Sequence, residues 1–209
     1  MEHKFIYPWS ELEKSLIESD RGSFLLAGIG SLINFKSAAR TLSRVPNPPK
    51  PIKVLGFIRV YDYIISQNHP ELTTRISSVP VAALNVYPSP NHWFNGVLLR
   101  VSLDDIEPFR QREVGYDLVP AEYVPYDERS AKPRRVYVLS RPRTPSIFRL
   151  MGHHFAPHPH YHELCRAGAA SISKPFLRDF YKTTYLADRT TKLEDVLGDC
   201  ALRPKSALR

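Results

Sequence analysis

Two short segments carry residue types that can do chemistry. Phe24-Leu-Leu-Ala-Gly-Ile-Gly-Ser-Leu-Ile-Asn34 sets Gly28, Gly30 and Ser31 at the end of an apolar run. Glycine tolerates positive φ and lets a ligand come close to the main chain, so successive N–H groups there can converge on an oxygen carrying negative charge. The turn lacks the third glycine of a dinucleotide loop and the Lys-Ser/Thr of a nucleotide loop. The second segment, Arg112-Glu-Val-Gly-Tyr116, follows a strand and a short helix, a placement that aims the Glu113 carboxylate at the start of the next strand. The competing readings are turn geometry for the glycines and, for Glu113, a helix-end carboxylate paired with Arg110 or Arg112.

The elements that position these residues can be read from spacing. Ser10 and Glu13 form a capping box, and Trp9, Leu12, Leu16 and Ile17 share one helical face, which predicts a helix near 10–19. The run 23–29 predicts a buried strand. Further strands are predicted over 52–61, 80–87, 93–101, 116–126 and 134–140, all rich in Val, Ile, Tyr and Leu and bounded by Pro, Gly or Asn. Ser102 and Asp105 open a helical turn that runs to about Arg112. The stretches 160–170 and 173–186 read as helices, the second with an apolar stripe of Phe176, Leu177, Phe180, Tyr181, Thr184 and Tyr185. Beyond Leu197 the chain is expected to fray. Several short strands with a few helices and no regular alternation predict an α+β domain built on a small mixed β-barrel flanked by helices.

Composition bounds the function classes. The chain has 209 residues, of which 43% are hydrophobic and 24% charged, enough to bury one core and too apolar for disorder as its main state. No apolar stretch approaches the roughly 18 residues that cross a bilayer, and Met1–Ser10 has no secretory apolar core, so a cytoplasmic protein without a membrane partner is expected. Cys165 and Cys200 are too far apart for a paired metal or redox site. The net charge of +8 is concentrated in Lys132, Arg134, Arg135, Arg141, Arg143 and Arg149, which reads first as a solvated strand edge and only second as a nucleic-acid surface. His153, His154, His158, His160 and His162 cluster around Pro157 and Pro159, a spacing that does not converge on one tetrahedral site, so no metal is assigned. No nucleophile elbow is present.

Three pieces, in order, resemble one family. Gly28 to Ile33 resembles the Gly-Tyr-Gly-Ser-Leu-Ile loop of the ChaC-type γ-glutamylcyclotransferases, with Ile29 in place of the tyrosine. Arg112 to Tyr116 resembles their Arg-Glu-x-x-Gly-Tyr or Glu-Gly segment, with Phe109-Arg110 where the family has Leu-Asp. Pro159-His160-Tyr161 through Cys165, Gly168 and Ala169 is similar to a Pro-x-Tyr, Gly-Ala stretch of the wider γ-glutamylcyclotransferase family. The resemblance spans about 24 to 185 and implies a division into an N-terminal helical extension over 1–22, a γ-glutamylcyclotransferase-like domain over 23–190 and a tail over 191–209. It implies Glu113 as general acid and base, and a γ-glutamyl substrate held by Gly28, Ile29, Gly30, Ser31, Leu32 and Ile33, with Tyr116 and Tyr161 at the pocket. The substrate's α-amine would attack its own γ-carbonyl to form 5-oxoproline and expel an amine, which needs no cofactor. Donors implied are glutathione, a γ-glutamyl amino acid or a γ-glutamyl amine, the leaving-group side being built by segments such as 62–79 and 141–160. The alternative is a catalytically silent barrel that binds nucleic acid or an acidic partner through the basic segment 132–149.

Overall fold

Side chains of a strand alternate between two faces, and where both faces are covered both are apolar. The computed structural model describes residues 11, 12, 14, 22–64, 81–128, 130–141 and 156–201. Strands β1 Ser23–Gly28, β2 Pro51–Ile64, β3 Val81–Ser102, β4 Asp117–Pro125, β5 Arg134–Ser140, β6 Ala156–Pro157 and β7 Thr184–Leu186 form one 7-stranded mixed sheet in the order β6-β3-β1-β5-β4-β2-β7. Because β3 pairs with β2 as well as with β1, the strands β3, β1, β5, β4 and β2 close on themselves, with Leu26–Tyr137 as the registered pair between β1 and β5. The result is an incomplete barrel of the α+β class. Helices α1 Phe35–Ala38, α2 Leu103–Arg112, α3 Pro159–Ile172, α4 Lys174–Lys182 and α5 Leu193–Ala201 flank it, and a 3-10 turn, Ser31–Ile33, follows β1.

Period-two alternation divides the buried residues. Ala27, Val54, Phe57, Val86, Phe94, Val119, Ala121, Val136 and Val138 form a cluster drawn from the strands. The alternate positions Leu26, Leu118 and Leu139 join the second cluster, where Ile106 and Phe109 of α2, Cys165 and Ala169 of α3, and Phe176, Leu177, Phe180 and Tyr181 of α4 pack against them. Helix α2 begins at a capping box in which Ser102 and Asp105 satisfy each other. Asp105 also accepts from the Ser43 N–H at 2.9 Å and hydroxyl at 3.1 Å, which ties the segment after α1 to this helix. Burial works against the Asp105 charge, but the bonds from Ser102 and Ser43 outweigh it and hold the carboxyl below its ordinary value.

The structure departs from the sequence expectations at several elements. The strands expected at 80–87 and 93–101 are one strand, β3, which keeps pairing with β2 on both sides of a register shift between Leu55 and Phe57. Gly56, at φ +74, supplies the bend there. The helix expected over 173–186 stops at Lys182, and Thr184–Leu186 instead pair in parallel with Arg59–Tyr61 of β2. Helix α5 continues past Leu197, and its Leu193 is fully buried, so the segment expected as a tail contributes to the core as far as that residue. The helix expected near 10–19 lies outside the described residues except for Glu11, Leu12 and Lys14, which are helical, with Leu12 buried. No helix among the described residues is long and apolar enough to cross a membrane.

Candidate functional site

Close packing of main chain on main chain fixes where β1 ends. A Cβ on Gly96 of β3 would stand 2.7 Å from the Gly28 carbonyl oxygen, and one on Gly28 would stand 2.9 Å from Val97 Cγ2. Both glycines let the strands approach without a side chain between them. Ile29 then turns into the strand cluster, 4% exposed, and Leu32 and Ile33 turn into the helix-packed core. The Ile33 N–H closes the 3-10 turn on the Gly30 carbonyl at 2.9 Å. Of the expected loop residues, Gly30 and Ser31 reach the Glu113 side, whereas Gly28, Ile29, Leu32 and Ile33 use their side-chain positions for packing.

A fully buried arginine that sequence reasoning did not single out holds the end of β1. Arg59 of β2 donates through Nη1 to the carbonyls of Asn95 at 2.6 Å and Ile29 at 3.3 Å, through Nη2 to Asn95 Oδ1 at 3.0 Å and the Phe180 carbonyl at 3.1 Å, and through Nε to Thr184 Oγ1 at 2.8 Å. Its Cζ lies over the Phe180 ring, 4.1 Å from the centroid. Burial pushes the guanidinium down to about 10, so it stays charged at neutral pH. Every N–H of the fork has an acceptor, which is the condition for burying this charge. Asn95 Nδ2 in turn donates to the Phe176 carbonyl at 2.7 Å. The signals in the sequence were a charged residue inside the apolar run Val54–Tyr61 and an asparagine inside Phe94–Leu99.

Glu113 is the C-cap of α2, and its N–H returns to the Phe109 carbonyl. Its carboxylate pairs with Arg112 Nε at 3.2 Å; the two side chains are 13% and 16% exposed. The Arg112 fork reaches on to Ser31 Oγ at 3.2 Å, Ser37 Oγ at 2.9 Å and the Ser37 carbonyl. One arginine therefore links the Glu113 carboxylate to the glycine turn, while Arg110 pairs instead with Glu107.

Of the two expected tyrosines, Tyr161 lies against the turn and Tyr116 against the Leu84 main chain. The Tyr161 hydroxyl touches Gly30 so closely that a Cβ there would overlap it. A Cβ at Gly30 would also meet Leu84 Cδ1 at 3.6 Å, so the phenol, the turn and Leu84 pack at one point. Burial pushes the Tyr161 phenol well above its ordinary value, and the charges of Cys165 and Glu113 add to the shift. Tyr116 donates to the Leu84 carbonyl at 2.7 Å. Burial raises it too, followed by the influence of Tyr161 and Glu113. Gly30, Ser31, Glu113, Tyr116 and Tyr161 thus form one neighbourhood. Phenols held neutral beside a half-buried carboxylate can orient a polar substrate and accept or donate hydrogen bonds without carrying charge.

The histidines have other tasks. His158 caps α3 by accepting from the Tyr161 N–H at 3.3 Å, which sets the start of the helix that carries Tyr161. His162 bridges Tyr61 at 2.8 Å and Tyr181 at 3.1 Å. His153 and His154 lie outside the described residues, as do Arg143 and Arg149 of the basic segment.

No protein-family model matches the chain, and no curated protein matches it. Solved structures do. One described as Gamma-glutamyl cyclotransferase superposes with a TM-score of 0.56 at 14% identity, covering 86% of this chain and 98% of its own. The human uncharacterized protein loc79017 gives 0.54 at 16% identity, covering 87% and 99%. YkqA from Bacillus subtilis gives 0.54 at 14% identity, covering 81% of this chain and 57% of its own. The chain shares the fold of these three structures, the first of them described as a gamma-glutamyl cyclotransferase, and at such identities the likeness is one of fold.

Proposed function

We propose that the protein cyclises a γ-glutamyl donor to 5-oxoproline and releases an amine, with Glu113 as the proton-transfer group. The observation that carries this reading is the link from the Glu113 carboxylate through Arg112 to Ser31, beside a turn whose Gly30 leaves no side chain between the main chain and Tyr161. The shared fold supports it.

In this reaction the α-amine of the bound donor attacks its own γ-carbonyl carbon. The new C–N bond closes a five-membered ring, and the old amide C–N bond breaks. Glu113 takes a proton from the attacking ammonium and returns one to the leaving nitrogen, so the carboxylate ends as it began. Nucleophile and electrophile belong to one molecule, and holding the bent conformer can contribute several kcal/mol of barrier lowering. Negative charge develops on the γ-carbonyl oxygen, which main-chain N–H groups of the Gly30–Ser31 turn would stabilise. Tyr161, packed against Gly30, would hold the glutamyl head against that turn.

The test is release of 5-oxoproline from glutathione, γ-glutamyl amino acids and γ-glutamyl amines by purified protein, read by mass. Turnover of one class supports the reading. No 5-oxoproline from any of the three contradicts it.

A further inference from the structure

Strand β5 ends at Ser140, and the next residue is fixed at both main-chain groups by one buried side chain. The Arg141 N–H donates to Asn85 Oδ1 at 2.8 Å, and its carbonyl accepts from Asn85 Nδ2 at 2.9 Å. Asn85 is 2% exposed. From this anchor the Arg141 guanidinium lies over the Tyr63 ring, 4.7 Å from its centroid. The Tyr63 hydroxyl donates to the carbonyl of Val114, the residue after Glu113, at 2.8 Å. Gly115 adopts φ +82, and a Cβ there would stand 3.3 Å from Tyr63 Oη and 3.4 Å from Arg141 Nη1. The turn that carries Glu113 is thus built to lie against this guanidinium. Tyr63 continues the row onto Tyr116, with ring centroids 4.6 Å apart, and Tyr116 meets the Leu84 main chain beside Tyr161.

The two arginines at this turn have different occupations. Arg112 is committed to Glu113, Ser31 and Ser37. Among the described residues no carboxylate lies within ion-pair distance of Arg141, whose side chain is half-buried and stacked. A guanidinium stacked on an aromatic face keeps its edge N–H fork available, and that fork matches a carboxylate in a bidentate pair.

We propose that Arg141 is a specificity-determining residue which receives a carboxylate on the leaving amine, so that the preferred donor is a γ-glutamyl amino acid and not a γ-glutamyl amine. This rests on the cyclisation reading. The donor's own α-carboxylate is common to both classes and does not distinguish them.

The experiment compares γ-glutamylalanine with γ-glutamylethylamide, which differ in the leaving-group carboxylate alone, in the wild-type chain and in Arg141→Gln and Arg141→Lys variants. A charge-assisted bidentate contact predicts a kcat/KM preference for γ-glutamylalanine of about ten- to a hundredfold in the wild type. Arg141→Gln is expected to collapse that ratio towards one, through a raised KM for γ-glutamylalanine, and Arg141→Lys to retain part of it. A wild-type ratio near one, or a preference undiminished in Arg141→Gln, overturns the proposal while leaving cyclisation standing. Thermal shift by both compounds is read in parallel. If neither is turned over but γ-glutamylalanine alone stabilises the fold, and only when Arg141 is present, the cyclisation reading fails and the subsite stands. If neither is turned over nor bound, both fall.

Discussion

The contact between Gly30 and the Tyr161 hydroxyl joins the glycine turn to helix α3 at the level of single atoms. Adding a methyl group to Gly30 forces the phenol away from the turn, so Gly30→Ala is expected to lower both stability and 5-oxoproline release. Removing the hydroxyl relieves most of the overlap, and the same substitution in a Tyr161→Phe background is expected to cost about 1 kcal/mol less, read as a double-mutant cycle on thermal melting. Equal costs in the two backgrounds would contradict the contact. This neighbourhood was legible in part because its types are unusual: a glycine pair after an apolar run, and an Arg-Glu before a Gly-Tyr. What the sequence could not show is that Arg112 turns towards Ser31 and Arg110 towards Glu107, since both are arginines within reach of acids and only the helix geometry separates them.

Among the elements, α3 approaches the turn most closely, and Gly168 makes the approach possible. A Cβ there would stand 2.6 Å from the Asn34 nitrogen and 2.8 Å from its Cα, against main chain that cannot rotate away. Gly168→Ala is therefore expected to cost roughly 1–3 kcal/mol through overpacking, with a drop of about 2–4 °C in Tm per kcal/mol for a chain of this size. It should also displace the turn, and an unchanged melting curve with full activity would contradict that. Local pattern predicted β1, β2, β4, β5 and the start of helix α2 at Ser102 well, because each depends on near neighbours. It failed at β3, where Pro88 and Pro90 read as a boundary although Gly56 on the partner strand lets pairing resume. It failed again at Thr184, where helical spacing continues but the side chain joins Phe180 and Arg59 in a buried bond set formed across long sequence separation. Arg59 escaped notice for the same reason: its acceptors come from the residue after β1 and from β3, α4 and β7.

At the scale of the whole molecule, buried titratable groups couple stability to pH. Burial pushes His162 down to about 4 from 6.5, its nitrogens occupied by Tyr61 and Tyr181 and its surroundings including Glu163 and Arg166. The folded chain keeps this imidazole neutral while the unfolded chain protonates it below about 6.5, so its contribution is complete above that pH and lost as pH falls towards 4. Asp105 and Asp188 are held below their ordinary value of 3.8, and their contribution is lost only at lower pH. Melting temperatures should therefore fall from pH 6.5 to 4, and His162→Gln should flatten that slope. An unflattened slope would contradict the assignment. In the proposed reaction one carboxylate, linked through Arg112 to Ser31, acts beside a turn that would bind the γ-glutamyl head. Its most direct test is Glu113→Gln, which keeps size and hydrogen bonding while removing the base. The expected result is a loss of 5-oxoproline release of about a hundred- to ten-thousandfold, the usual worth of proton-transfer catalysis, with the donor still raising Tm. A Glu113→Gln protein that releases 5-oxoproline at the wild-type rate would contradict the account.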